Sequence, residues 1–115
     1  MSERDTFYQE LEELKKSFDT MQPEMEVTLR DNALGLEGYV VVWNTAISRE
    51  GPFPNCAKGG TRLREGLSQI EISRLAKTMA LKNAAAGLPL GGCKSGINAD
   101  PVSYTHLTLP TIYSV

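Results

Sequence analysis

Histidine, tryptophan and cysteine are almost missing from this chain: His106 and Trp43 occur once each, and Cys56 and Cys93 are the only thiols. Two cysteines without a histidine cluster lack the spacing of a zinc module and the density of a disulfide scaffold, so no metal is expected. A reduced, cytoplasmic setting suits such thiols. A basic excess is lacking too. Twelve Lys+Arg stand against fourteen Asp+Glu, a formal net charge of −2, and a nucleic-acid partner held by phosphate neutralisation is not expected. No apolar run approaches the roughly 18 residues of a membrane span. Met1–Asp5 has neither the basic start nor the apolar run of a secretory leader. What remains is a chain of 115 residues with 41% hydrophobic residues, enough for one domain with one real core. These absences exclude several classes and select none.

Charge is also missing from one end. Val102–Val115 holds no Asp, Glu, Lys or Arg, so all 26 charged residues lie in the first 101. As protein, this stretch reads as a Thr-rich strand broken by Pro110. Val102 to Thr111 also reads as one frame of a translated transposase adapter from sequencing libraries. On that reading residues 102–115 are a non-native, adapter-derived tail, excluded from fold reasoning along with His106.

In residues 1–101, Ser2 with Glu3 and Asp5 forms an N-cap and acidic first turn. Phe7, Leu11, Leu14 and Phe18 then recur on one helix face, predicting an amphipathic packing helix that stops by Met21, ahead of Pro23. Met25–Asp31 alternates as a half-buried strand, and Leu36–Ile47, with Tyr39-Val40-Val41-Val42-Trp43, is a second. Gly51–Asn55 is a loop, and Cys56–Leu63 a further strand. Ser68 and Glu71 make a capping box that opens a helix with Ile72, Leu75, Ala76 and Met79 on one stripe. Gly87 serves as its C′ residue, with Pro89 beyond, and Leu90–Ala99 returns as a glycine-rich extended segment. The order predicts an α/β fold, a mixed sheet with helices packed against it, in an incomplete domain.

Three lysines are oddly placed. Lys82 follows Leu75 by seven residues, which brings it within about 20° of Leu75 on the helix and along the apolar stripe. Lys77, by contrast, is on the far side, as a solvated charge. Lys94 is flanked by Gly91, Gly92 and Gly96, which leave room for another molecule to approach the backbone. Lys58 stands directly before Gly59-Gly60. On the residues alone, a snorkelling lysine or a lysine in a glycine turn explains each equally well. A phosphate loop is nearly spelled by Gly87 to Ser95. However, Cys93 intrudes between Gly92 and Lys94, and the glycines follow a helix where such a loop would follow a strand. A Gly-x-Gly-x-x-Gly dinucleotide fingerprint is absent.

Taken together, Lys58-Gly59-Gly60-Thr61-Arg62, Met79-Ala80-Leu81-Lys82-Asn83 and Gly87 through Gly96 resemble the glutamate/leucine/phenylalanine/valine dehydrogenase family, in its N-terminal substrate-binding and dimerisation domain. The lysines stand 24 and 12 residues apart, matching the glutamate dehydrogenase pattern without a gap. The resemblance runs from about Glu37 to Pro101. It implies that Lys94 is the catalytic lysine, that Lys82 binds the substrate α-carboxylate and that Lys58 meets the side-chain carboxylate, with Gly59, Gly91 and Gly92 also contacting substrate. The implied reaction is the reversible oxidative deamination of L-glutamate, with water and NAD or NADP, to 2-oxoglutarate and ammonium. An amine held among other cations gives up its proton readily and can activate the attacking water. A second lysine offers a fixed charge to a carboxylate.

Lysine at position 58 favours an acidic substrate. Lys82 through Leu88 is nearer the leucine-type members, so leucine or phenylalanine dehydrogenase is the alternative within the family. Cys93 replaces the small residue that commonly precedes the catalytic lysine. The family's catalytic aspartate and its nucleotide-binding half are not in these residues, so the resemblance implies an inactive front portion of a cytoplasmic homo-oligomer, commonly a hexamer. A non-catalytic binding or assembly module is the alternative of another class.

Overall fold

The computed structural model describes residues 2–49 and 54–100. Seven elements follow in order: α1 (Glu3–Thr20), β1 (Met25–Asp31), β2 (Leu36–Asn44), β3 (Ala57–Lys58), β4 (Thr61–Leu63), α2 (Gln69–Ala85) and β5 (Gly91–Asn98). This is the expected α/β order with a mixed sheet. β1, β2 and β5 are antiparallel neighbours, while β3 and β4 both run parallel to β5. The single strand expected over Cys56–Leu63 is split, because the chain leaves the ladder at Gly59-Gly60 and rejoins it at Thr61. The strand begun at Leu36 ends at Asn44, where the pairing with β5 shifts register. Most of the expected loop Gly51–Asn55, and all of the tail from Val102 with His106, lie outside the described residues.

The sheet has two unlike faces. Glu26 and Thr28 of β1 pair with Val41 and Tyr39 of β2, and this face receives α2: Ser73 donates to Glu26 at 3.1 Å, and Thr28 donates to Gln69 at 3.2 Å. The core forms here, from Tyr39, Val41 and Trp43 of β2 against Leu67, Ile72 and Ala76. The alternate residues, Met25, Val27, Leu29, Val40 and Val42, point to the opposite face, where Met25 and Leu29 are exposed. Among the described residues no helix covers that face.

The expectation of a packing helix at the N-terminus needs correction. Ser2 and Asp5 do form a reciprocal capping box, but α1 buries no residue fully, and Phe7 and Leu14 are 60% and 68% exposed. α2 already occupies the sheet face, and α1 meets the body at its last turns, where Phe18 tilts against Trp43 at 6.4 Å between ring centroids. Lys77 is corrected by the same contact. Its ammonium lies 4.4 Å from the Phe18 ring centroid and 5.5 Å from that of Trp43, and 3.9 Å from Asp19. A wheel drawn for α2 alone cannot show that α1 crosses this flank.

Candidate functional site

The lysine-bearing segments meet where α2 crosses β5 and β3. The helix starts as expected at Ser68, whose hydroxyl accepts from the Glu71 N–H at 3.3 Å. The other half of the capping box is not among the bonds made: the Glu71 carboxylate pairs with Arg64. The helix end is a Schellman closure: Gly87 adopts φ 72°, its N–H donates to the Ala84 carbonyl at 3.0 Å, and the Leu88 N–H donates to the Asn83 carbonyl at 2.9 Å. Lys82 and Asn83 therefore sit in a turn whose geometry is fixed on both sides.

Within that turn the two residues exchange the positions the sequence pattern suggests. The buried stripe of α2 is Ile72, Ala76 and Asn83, with Leu75 and Met79 half-buried beside it, whereas Lys82 is exposed at its edge. Asn83 is 3% exposed, and its amide nitrogen donates to the Gly91 carbonyl at 2.8 Å and to the Lys58 carbonyl at 3.2 Å. A signal for it existed. Asn83 lies eleven residues after Ile72 and seven after Ala76, on the core period of the helix, where a polar side chain calls for buried partners.

Lys58 ends β3 and pairs with Gly92, two residues before Lys94 on β5. Lys94 pairs with Val41 and so points to the α2 face of the sheet. It is half-buried, with its ammonium 3.5 Å from where a Cβ on Gly60 would stand. Next to it, burial pushes the Cys93 thiol above its usual range, while the charges of Lys94 and Lys58 both pull it down. Lys58 and Lys94 thus act electrostatically on one point.

The glycines let the chain pack on itself. A Cβ on Gly92 would strike the backbone of Ala80 and Ala76, so helix and strand touch there without an intervening side chain. A Cβ on Gly59 would strike the Cys93 carbonyl. The N–H of Gly91 donates to the Cys56 carbonyl at 3.0 Å and is thereby spent. Glycine is required at these positions by the packing of the chain on itself. Gly91–Ser95 lies in a strand, which removes the phosphate-loop geometry as expected.

The corner holding Lys58 and Lys82 is open, both side chains being exposed. A cavity of about 430 Å³ lies instead on the β1 side of the sheet, lined by Met21, Glu26, Trp43, Arg74 and Lys77 among others. None of the three motif lysines borders it.

Comparison with known proteins identifies the family of the fold. Residues 19–114 match the model of the Glu/Leu/Phe/Val dehydrogenase dimerisation domain. An NADP(+)-dependent glutamate dehydrogenase of Pyrobaculum calidifontis is 43% identical over 65 residues, covering 56% of this chain and 14% of that protein. A leucine dehydrogenase of Geobacillus stearothermophilus is 39% identical over 93 residues, covering 77% of this chain and 23% of that protein. The crystal structure of a hetero-hexameric glutamate dehydrogenase from Thermus thermophilus superposes with a TM-score of 0.58 at 29% identity, over 87% of this chain and 27% of that one. The chain thus spans about a quarter or less of the length of the curated relatives it matches.

Proposed function

The chain belongs to the Glu/Leu/Phe/Val dehydrogenase family by its dimerisation domain, and from that premise we propose that it supplies the substrate-holding half of an amino-acid dehydrogenase acting on L-glutamate. The observation that carries this reading is the gathering of three lysine-bearing segments at one corner, with Lys58 and Lys94 both felt by Cys93 and the Lys82 turn bonded to the Lys58 strand. Lys82 holds the α-carboxylate, Lys58 the side-chain carboxylate, and Lys94 handles the proton of the water that attacks the imine carbon. Gly59, Gly91 and Gly92 serve substrate by letting these segments close on one another.

The hydride acceptor in this reading is NAD or NADP, and the chain covers 14% of its NADP(+)-dependent relative, so the nucleotide is assigned to the part of such an enzyme that the chain does not cover. The exposure of Lys58 and Lys82 fits that arrangement, because cations facing open water gain little from a carboxylate until a second wall excludes the water. The exposed Phe7 and Leu14 of α1 and Leu29 of β1 support assembly with further copies as a homo-oligomer, and the free thiols Cys56 and Cys93 suit the cytoplasm. Residues 1–101 are the dehydrogenase portion. Val102–Val115 is adapter-derived, although the family match runs to residue 114. Sequencing the source DNA by a transposon-free method decides this, and recovery of the same fourteen codons overturns it.

Substrate choice tests the functional reading. In the full-length enzyme, Lys58→Leu weakens kcat/KM for glutamate far more than for leucine, by roughly 2–5 kcal/mol for loss of a desolvated charge contact. Equal losses for both substrates would show that Lys58 does not read the side chain and would favour a leucine-type enzyme.

A further inference from the structure

We propose that Asn83 is a positioning residue for the substrate site: its single amide holds the Lys58 strand in register with the helix turn that carries Lys82. The inference rests on the roles proposed above for the lysines.

The argument begins with the cost of the side chain. An amide buried on a stripe shared with Ile72 and Ala76 is unfavourable unless its hydrogens are bonded. A primary amide has two N–H groups, and the structure gives the Asn83 nitrogen two acceptors, the carbonyls of Gly91 and Lys58. Neither bond is needed to form the sheet, since β3 and β5 already pair at Ala57–Gly91 and Lys58–Gly92. What the amide adds is a connection from the helix to both strands.

That connection matters because it is made at Lys58 itself, through that residue's own carbonyl. The Lys58 strand is held to β5 by the sheet, with the Cys56 and Gly60 carbonyls on either side accepting from the Gly91 and Ser95 N–H groups at 3.0 and 3.1 Å. The helix end is held independently, by the close approach of Gly92 to Ala76 and Ala80 and by the closure at Gly87. Loss of the amide donors therefore leaves both segments in place and removes the side-chain tie that sets one against the other. Since Lys82 takes the α-carboxylate and Lys58 the side-chain carboxylate, the amide sets the spacing at which two carboxylates on one substrate can be held together.

The test compares L-glutamate with L-norvaline, which carries a methyl group in place of the distal carboxylate, as substrates of the full-length enzyme. Asn83→Asp keeps the shape and removes both donors, while Asn83→Gln keeps the donors on a longer arm. Asn83→Asp should raise the glutamate KM by roughly tenfold, about the worth of one lost hydrogen bond. The norvaline KM and both kcat values should change much less, and Asn83→Gln should fall between Asn83→Asp and the parent. Equal changes for both substrates, or a loss of kcat with both KM values unchanged, would reduce Asn83 to a structural role. Lys58→Leu runs in parallel. If Lys58→Leu leaves the glutamate-to-norvaline ratio unmoved, the reading of the lysines fails. If it moves the ratio and the Asn83 variants do not, only the positioning role fails. Should Asn83→Asp not fold, Asn83→Gln alone carries the comparison, with any selective rise in glutamate KM supporting the proposal and an unchanged ratio overturning it.

Discussion

Gly92 in β5 lies directly against the backbone of Ala80 in α2, so that a Cβ on Gly92 would overlap the helix. The site depends on this contact, because it brings the turn of Lys82 down onto the strand of Lys94. Gly92→Ala should destabilise the chain by about 1–3 kcal/mol through overpacking against backbone that has no rotamer to yield. Urea unfolding checks this. Gly60→Ala is the contrast, since among the described residues its Cβ would meet within 4 Å only the flexible end of Lys94, at 3.5 Å. Equal midpoint shifts for the two variants would contradict the close helix–strand approach.

The junction of α1 with the body gives a second expectation. Lys77 covers the rings of Phe18 and Trp43 and lies 3.9 Å from Asp19. Lys77→Ala should cost roughly 0.5–2 kcal/mol and loosen α1 from the sheet. Trp43 is the only tryptophan, so its fluorescence reports the change directly: a red shift for Lys77→Ala and little change for Lys77→Arg. An unshifted spectrum for Lys77→Ala would show that the cation does not hold the helix.

Most of the fold is legible in the sequence where the signal is local. The strand over Met25–Asp31, the Ser2 and Ser68 caps and the Gly87 stop all act within a few residues, and each appears in the structure, but the half-burial expected of that strand does not: Met25 and Leu29 are exposed, and the face of Glu26 and Thr28 meets α2. The helix pattern of Phe7, Leu11, Leu14 and Phe18 was local too, and the helix forms. What covers its face was not local information: Phe18 meets Trp43 of the core, while Phe7 and Leu14 stay exposed. For the site, the motif lysines were visible through their glycine context, while Asn83 was marked only by its place on the core period of α2 and its partners, backbone carbonyls 8 and 25 residues away, were not. Backbone acceptors leave no mark in a residue pattern.

Cys93 offers an electrostatic probe of the lysine corner. Burial raises its folded value above that of an ordinary thiol, opposed by Lys94 and then Lys58. The neutral thiol's contribution to stability is therefore complete below the ordinary thiol value and is lost as pH rises through the raised one. In a Cys56→Ser background, alkylation by iodoacetamide should begin at higher pH than for a free thiol. Lys94→Ala should push that onset higher still, and Lys58→Ala by less. An onset that falls, or that ignores both substitutions, would place the two charges away from the thiol.

The central claim is that Lys94 performs proton chemistry while Lys82 holds substrate. Steady-state kinetics of Lys94→Ala and Lys82→Ala in the full-length enzyme, with L-glutamate, test it most directly. The account predicts that Lys94→Ala lowers kcat by at least ~10² with a smaller change in KM, as loss of a general acid–base group does, and that Lys82→Ala acts mainly through KM. Retention of most of kcat by Lys94→Ala would contradict the account and leave that lysine a structural part of β5.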